Sequence, residues 1–196
     1  MAGPLTTISA LMIALAYLLG SIPTAVLVCH SMGIADPRQQ GSGNPGATNV
    51  LRIGTPVAAI LTLLGDLGKG MAAVTAASVA GLSGTALAWC ALGAVLGHLF
   101  PIHNMRQGGK GVATTLGTCL MLSLPLALCQ IGSWLLLFAA TRISSLASII
   151  TALLTPLFTW LLIPELFSTL TLIALLLLSR HARNIHNLLH NREPRL

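Results

Sequence analysis

Charge is what this sequence has least of: only 7% of its 196 residues are charged, and the acids number four, Asp36, Asp66, Glu165 and Glu193. A soluble domain carries about a quarter charged residues. With 55% hydrophobic residues and a mean hydropathy of +0.87, the chain reads as an integral membrane protein. The acids are too few and too scattered to form the paired carboxylates that would hold Mg2+, so metal-dependent phosphoryl transfer fits poorly and no metal is expected. Cysteine is equally uninformative as chemistry. Cys29, Cys90, Cys119 and Cys129 form no Cys-x-x-Cys pair and lie in or beside apolar stretches, which reads as packing and not as a disulfide or zinc site. A basic segment before the first apolar run is also missing. Because Ile22-Pro23 and more apolar sequence follow the small pair Gly20-Ser21, that run is read as a retained span and not a cleaved signal.

What is present is apolar length. A span needs about 20 residues, so the chain has room for six or seven helices and for no separate soluble domain; residues 1–196 are expected to be one integral-membrane domain. The first span is read at residues 5–28 with a break at Gly20-Ser21-Ile22-Pro23, the second at 56–79 and the third at 85–100. The apolar stretch 112–141 is interrupted at Ser123-Leu124-Pro125, and the last two spans are read at 146–163 and 166–178. Counting 112–141 as two crossings places the basic loops at Arg38, Arg52, Arg106 and Lys110, then Arg142 and the basic tail, all on the cytoplasmic side, as the positive-inside rule asks. One crossing would strand Arg142 and the tail outside. The expected architecture is therefore an all-α, polytopic transmembrane helix bundle of about seven spans. The basic residues set topology and face anionic lipid or substrate, and nucleic acid is not an expected partner.

Two glycine-rich loops stand out. The first, Gly41-Ser42-Gly43-Asn44-Pro45-Gly46-Ala47-Thr48-Asn49, is polar and uncharged between apolar segments. Its glycines free the backbone, and Ser42, Asn44, Thr48 and Asn49 add donors, the makings of an anion-binding nest. The spacing Gly41-x-Gly43-x-x-Gly46 matches a dinucleotide fingerprint only formally: no strand precedes it, and Asp66, at the right distance for the acidic partner, lies in an apolar helical segment. The second loop carries Gly97-His98-Leu99-Phe100-Pro101 and then Gly108-Gly109-Lys110-Gly111 just before a helix, which puts a lysine and free N–H groups at a positive dipole end. It is not a Walker loop, since Gly111 follows Lys110 where Ser or Thr belongs. The tail places Arg180, His181 and Asn184 within one turn if the last helix continues, and Ser145 follows Arg142. Asp66 and Lys69 share a helix face inside the second span, either as a functional pair or as a self-neutralising structural one. No Gly-x-Ser-x-Gly elbow exists, and His30 and Asp36 are one residue too far apart for a His-x4-Asp motif, so the substrate is expected to arrive activated.

Taken jointly, Gly20-Ser21-Ile22-Pro23, the first glycine loop, Gly108-Gly109-Lys110-Gly111-Val112-Ala113-Thr114, Arg142-x-x-Ser145 and Arg180-His181-x-x-Asn184-Ile185 closely resemble the bacterial integral-membrane acyl-phosphate:glycerol-3-phosphate acyltransferases, over nearly the whole chain. The resemblance implies transfer of a fatty acyl group from acyl phosphate to the 1-hydroxyl of glycerol 3-phosphate, giving lysophosphatidic acid and inorganic phosphate without a cofactor. On that basis Ser42, Lys110, His181 and Asn184 are expected to be catalytic. Gly41, Gly43, Asn44, Gly46, Thr48 and Asn49 would bind one phosphate; Arg52, Gly109, Gly111 and Ser145 would join Lys110, His181 and Asn184 around the other. His98 or His181, or a substrate phosphate oxygen, would be the base, with Asp66 and Lys69 in support. An anion transporter or a membrane phosphate-binding protein is the alternative, disfavoured because the polar motifs cluster toward one face.

Overall fold

In the computed structural model, which describes residues 7–105 and 107–196, the described chain is helical and contains no strand. The expected sites Leu5, at the start of the first span, and Arg106 lie outside the described residues. The helices are α1 (Thr7–Gly20), α2 (Thr24–Ser31), α3 (Ala47–Ile53), α4 (Pro56–Val79), α5 (Thr85–Leu99), α6 (Val112–Leu122), α7 (Leu124–Thr141), α8 (Ser144–Leu162), α9 (Phe167–Arg180) and α10 (Ala182–Leu189), with a 3-10 turn at Pro164–Leu166.

Sequence chemistry sets the boundaries. The Gly20-Ser21-Ile22-Pro23 stretch separates α1 from α2. Thr55 caps α4, its hydroxyl accepting from the Ala58 N–H at 3.2 Å with Pro56 in the first turn. Ser123 does the same for α7, and Ser123-Leu124-Pro125 divides 112–141 into two helices as expected. Gly81 and Gly84, both at positive φ, make the turn between α4 and α5. One expectation is corrected: the polar loop read over residues 30–55, between the first two spans, contains a helix, α3, which begins directly after Gly46. Past α9 the chain bends, α9 and α10 meeting at His181 at 59°, so the condition of one continuous last helix is not met.

Among the described residues, by length and hydropathy four helices are long enough to span a membrane, counting Thr7–Ser31 as one broken span, and a fifth if the bent segment from Pro164 to Leu189 is one span. Helices α5 and α6 are apolar but have 15 and 11 residues. The radial arrangement is that of a protein in lipid: Leu11, Leu61, Leu136 and Leu161 face outward, while the centre is built from Ala16, Ala73, Ala77, Ala88, Ala91 and Ala94. Helix α5 lies at that centre, packed on α1, α4, α6 and α9.

Candidate active site

A cavity of about 1120 Å3 opens where the two glycine loops, the turn between α7 and α8 and the bend between α9 and α10 converge. It has two zones. Its outer zone is polar, with Ser42, Arg52, Lys110, Arg180, His181 and Asn184 on its walls; its inner zone runs between α7, α8 and α9 past Ile131, Leu135, Leu170, Ile173 and Leu177.

The first loop is shaped by one side chain. Buried Asn49, on the first turn of α3, donates from Nδ2 to the carbonyls of Pro37 at 2.8 Å and Gln40 at 3.0 Å and accepts the Ser42 N–H on Oδ1 at 2.8 Å. Its amide is thereby committed to holding the loop. Gly41 and Gly43 stand at φ 61° and 72°, where a side chain would be strained. At Gly41 a Cβ would also overlap the Asn49 amide. Ser42 and Asn44 line the cavity, and Thr48 hydrogen-bonds Ser144 of α8 at 3.1 Å. At the loop's base Arg38 pairs with Asp36 at 2.6 Å and holds that carboxyl below its ordinary range.

The second loop is fixed from both sides. The Gly109 N–H donates to the His98 carbonyl at 3.1 Å, and the Arg180 guanidinium donates to the carbonyls of Gly108 at 2.7 Å and Gly109 at 3.2 Å while lying 5.5 Å from the Phe100 ring centre. A Cβ at Gly109 would meet the His98 ring. Lys110 is thus presented into the cavity just ahead of α6, whose N-cap Gly111 sits at φ 83°. Burial, reinforced by Arg52 and Arg180 and opposed by Glu193, pushes the Lys110 amine down to about 8.

His181 is only 2% exposed, at the bend. Its Nδ1 lies 2.8 Å from the Leu177 carbonyl, which can only accept, so Nδ1 carries the proton and Nε2 keeps the lone pair. Burial and the Lys110 charge push its pKa down to about 4, so the ring is neutral near pH 7. Ser145 and Asn184 come together, but on a residue not expected in the site: Glu193 accepts from Ser145 Oγ and Asn184 Nδ2, both at 2.6 Å, and from Asn187 Nδ2 at 3.2 Å. The tail is tied further by the Leu196 N–H to the Arg142 carbonyl at 2.8 Å. No motif marks Glu193; its one available signal was its place as the single acid in a basic tail.

His98 belongs to the last turn of α5, not to the loop after it. It approaches Asp66 Oδ1 at 3.4 Å and Thr114 Oγ1 at 3.2 Å, and Asp66 also pairs with Lys69 at 2.9 Å and accepts from Thr24. Lys69 donates to the Ile22 carbonyl at 2.9 Å, so this buried cluster ties the α1–α2 break to α4, α5 and α6. Asp66 and His98 line the cavity; Lys69 lies behind them. No cluster of three or more metal-ligating side chains occurs among the described residues.

A second feature escaped the sequence reading. Along α8, Ser148, Thr151 and Thr155 face α7 and form three rungs: Trp134 Nε1 to Ser148 Oγ at 3.0 Å, Ser133 to Thr151 at 3.3 Å, and Gln130 Nε2 to Thr155 Oγ1 at 3.1 Å. Polar groups therefore extend deeper than the one face expected. The facing wall, α9, is apolar.

Residues 10–191 match the family model described as Glycerol-3-phosphate acyltransferase. Among curated proteins, the chain is similar to glycerol-3-phosphate acyltransferase of Thioalkalivibrio sulfidiphilus (strain HL-EbGR7), 50% identical and covering 92% of this chain and 90% of the relative. It is 49% identical to that of Laribacter hongkongensis (strain HLHK9), covering 98% and 97%. Among solved structures, it resembles the crystal structure of PlsY (YgiH), an integral membrane glycerol 3-phosphate acyltransferase, in its glycerol 3-phosphate form, with TM-score 0.89, 35% identity and 96% and 95% coverage. The lysophosphatidic acid form of that protein matches with TM-score 0.87 and 34% identity.

Proposed function

Because the chain belongs to the glycerol-3-phosphate acyltransferase family, we propose that it moves a fatty acyl group from acyl phosphate to the 1-hydroxyl of glycerol 3-phosphate, forming lysophosphatidic acid for phospholipid biosynthesis. The observation that carries this reading is the two-zone cavity: a cationic, glycine-rich mouth continuous with an inner chamber walled on one side by apolar α9. Two anionic head groups and one hydrocarbon tail need that combination. A conduit for a hydrated anion would want polar walls all round.

In the reaction, the acceptor hydroxyl oxygen attacks the acyl carbonyl carbon, the carbon–oxygen bond to phosphate breaks, and inorganic phosphate leaves. One phosphate rests on the first loop, among Ser42, Asn44, Thr48 and the backbone of Gly41, while the N–H groups of Gly43 and Gly46 hold the loop's own shape by donating to the Gln40 and Asn44 carbonyls. The other lies against Lys110, Arg52, Ser145 and Asn184. His181 Nε2 takes the hydroxyl proton and returns it to the departing phosphate. Lys110 offsets negative charge as it develops on the carbonyl and the leaving group. Since a mixed anhydride is already activated, holding two anions in line supplies much of the rate. Asn49, Gly109 and Gly111 act by shaping the loops, and Asp66, Lys69 and His98 by supporting them.

The fold is read as seven spans in the bacterial inner membrane, with the site cytoplasmic. Support comes from parity: the cavity gathers the loop after α2, the loop between α5 and α6, the α7–α8 turn and the α9–α10 bend at one end of the bundle. Two helices of the bundle separate each from the next, so α5 and α6 cross despite their length, accommodated by burial and local thinning.

The test is purified protein with lauroyl or palmitoyl phosphate, glycerol 3-phosphate and EDTA, following phosphate release and lysophosphatidic acid. Product from acyl phosphate but not from acyl-CoA is expected. Folded protein that makes no product overturns the reading and sends the next experiment to anion uptake in liposomes.

A further inference from the structure

We propose that the hydrogen-bonded pair Gln130 and Thr155 forms the floor of the acyl chamber and sets the longest acyl chain this protein accepts; the inference rests on the acyl-phosphate reading above. Gln130 is 6% exposed and lines the cavity. Its Nε2 donates to Thr155 Oγ1 at 3.1 Å, and the Thr155 hydroxyl donates onward to the Thr151 carbonyl at 2.9 Å. Gln130 Oε1 is buried and has no hydrogen-bond partner. Gln130 and Thr155 line the inner slot together with Leu170 and Ile173 of α9.

Three helices give the depth of this floor. Thr155 lies ten residues beyond Ser145 on α8, Leu170 ten before Arg180 on α9, and Gln130 eleven before Thr141 at the end of α7. At a rise of about 1.5 Å per residue each is about 15 to 17 Å below the phosphate clamp. An extended hydrocarbon with bonds of about 1.5 Å and angles near 111° advances about 1.25 Å per carbon. A straight chain of about 12 to 14 carbons thus reaches the floor. Shorter chains leave apolar wall uncovered, and each methylene of a longer one must displace a packed, hydrogen-bonded amide that offers it no apolar surface. The chamber is graded by the same count: Ala152, seven residues below Ser145, lines it about 10 Å down.

The experiment measures kcat/KM for saturated acyl phosphates from about ten to about eighteen carbons, one methylene pair at a time. Ratios between two chain lengths on one preparation cancel any loss of folded fraction. For the wild-type protein, a chain about four carbons beyond the optimum is expected to be at least about five-fold poorer. Gln130→Ala, which removes the amide, moves that fall outward by about two to three carbons, and Ala152→Leu moves it inward by about three to four. Identical profiles for the three proteins overturn the floor, and a shift in Ala152→Leu alone overturns its assignment to Gln130. Wild-type protein that turns over no acyl phosphate of any length overturns the reading beneath it.

Discussion

Replacing Arg180 by lysine keeps the positive charge and removes the fork, which makes it the sharpest probe of how the lysine loop is held. The guanidinium spans two successive carbonyls, Gly108 at 2.7 Å and Gly109 at 3.2 Å, and covers Phe100. An ammonium on a flexible stem can serve one of those carbonyls at a time and gives up the planar contact with the ring. A hydrogen bond to a charged donor contributes about 1.5 to 3 kcal/mol. Expressed fully in the transition state, its loss lowers kcat/KM by roughly ten- to 150-fold. The Gly109 N–H still holds the His98 carbonyl at 3.1 Å, so the loop keeps one anchor and the effect belongs near the lower bound. Steady-state kinetics with palmitoyl phosphate and glycerol 3-phosphate, alongside the thermal midpoint, is the assay. The expected result is a loss of about ten-fold in kcat/KM on protein still folded at the assay temperature, with a midpoint lowered by the same lost hydrogen bond. Activity within two-fold of wild type would refute the argument that the fork positions Lys110.

Lys110→Ala should insert and fold but lose most activity, and kcat/KM should fall on the basic side with an apparent pKa near 8, set by burial of the amine; a profile flat to pH 9.5 would contradict this. The same shift fixes a stability slope. Because the folded pKa lies at about 8, below the ordinary 10.5, the unfolded chain binds more protons between those values, and the thermal midpoint should rise with pH across that window. Glu193→Ala frees Ser145, Asn184 and Asn187 together, so both the midpoint and kcat/KM should drop, each lost hydrogen bond to the carboxylate contributing about 1.5 to 3 kcal/mol; a variant of wild-type midpoint would show that the tail does not organise the clamp. Gly70→Ala should be destabilising by about 1 to 3 kcal/mol, since its Cβ would overlap the Thr114 carbonyl of α6; differential scanning fluorimetry in detergent reads it directly.

Several helix boundaries were legible because they fall on chemistry that a sequence displays: Thr55-Pro56 opening α4, Ser123 with Pro125 opening α7, glycines at 81 and 84 closing the turn before α5. Both loops were legible through their glycines. The role of individual side chains inside them was not. Asn49 and Thr48 look alike as donors in sequence, yet one has its amide consumed by Pro37, Gln40 and Ser42 while the other bonds α8. Glu193 reads as one acid among many bases until the α9–α10 bend folds the tail back over Ser145. The serines and threonines of α8 are spaced three and four apart, a pattern that predicts a common face but not that the face lines a chamber.

The glycines inside helices have a use that their loop counterparts obscure. On α5, a Cβ at Gly93 would meet the Ile13 carbonyl and one at Gly97 the Tyr17 carbonyl, while Gly20 of α1 meets the Ala94 backbone; on α4 and α6, Gly70 and Gly117 make the reciprocal contacts with Thr114 and Leu67. Each crossing is therefore backbone against backbone, which fixes helix positions through dispersion where lipid offers no hydrophobic drive. The α1–α5 crossing places Tyr17 Oη to donate to the Phe100 carbonyl at 2.7 Å and Ser21 Oγ to accept the Ile102 N–H at 3.3 Å, pinning the start of the second loop. The α4–α6 crossing sets where Val112 begins, and so where Lys110 leaves the loop. A site made of flexible glycines is thereby clamped at both ends by rigid ones. Positions such as Gly97 and Gly117 should thus affect catalysis without touching substrate, because half an ångström at either crossing is carried straight into the loop that presents the lysine.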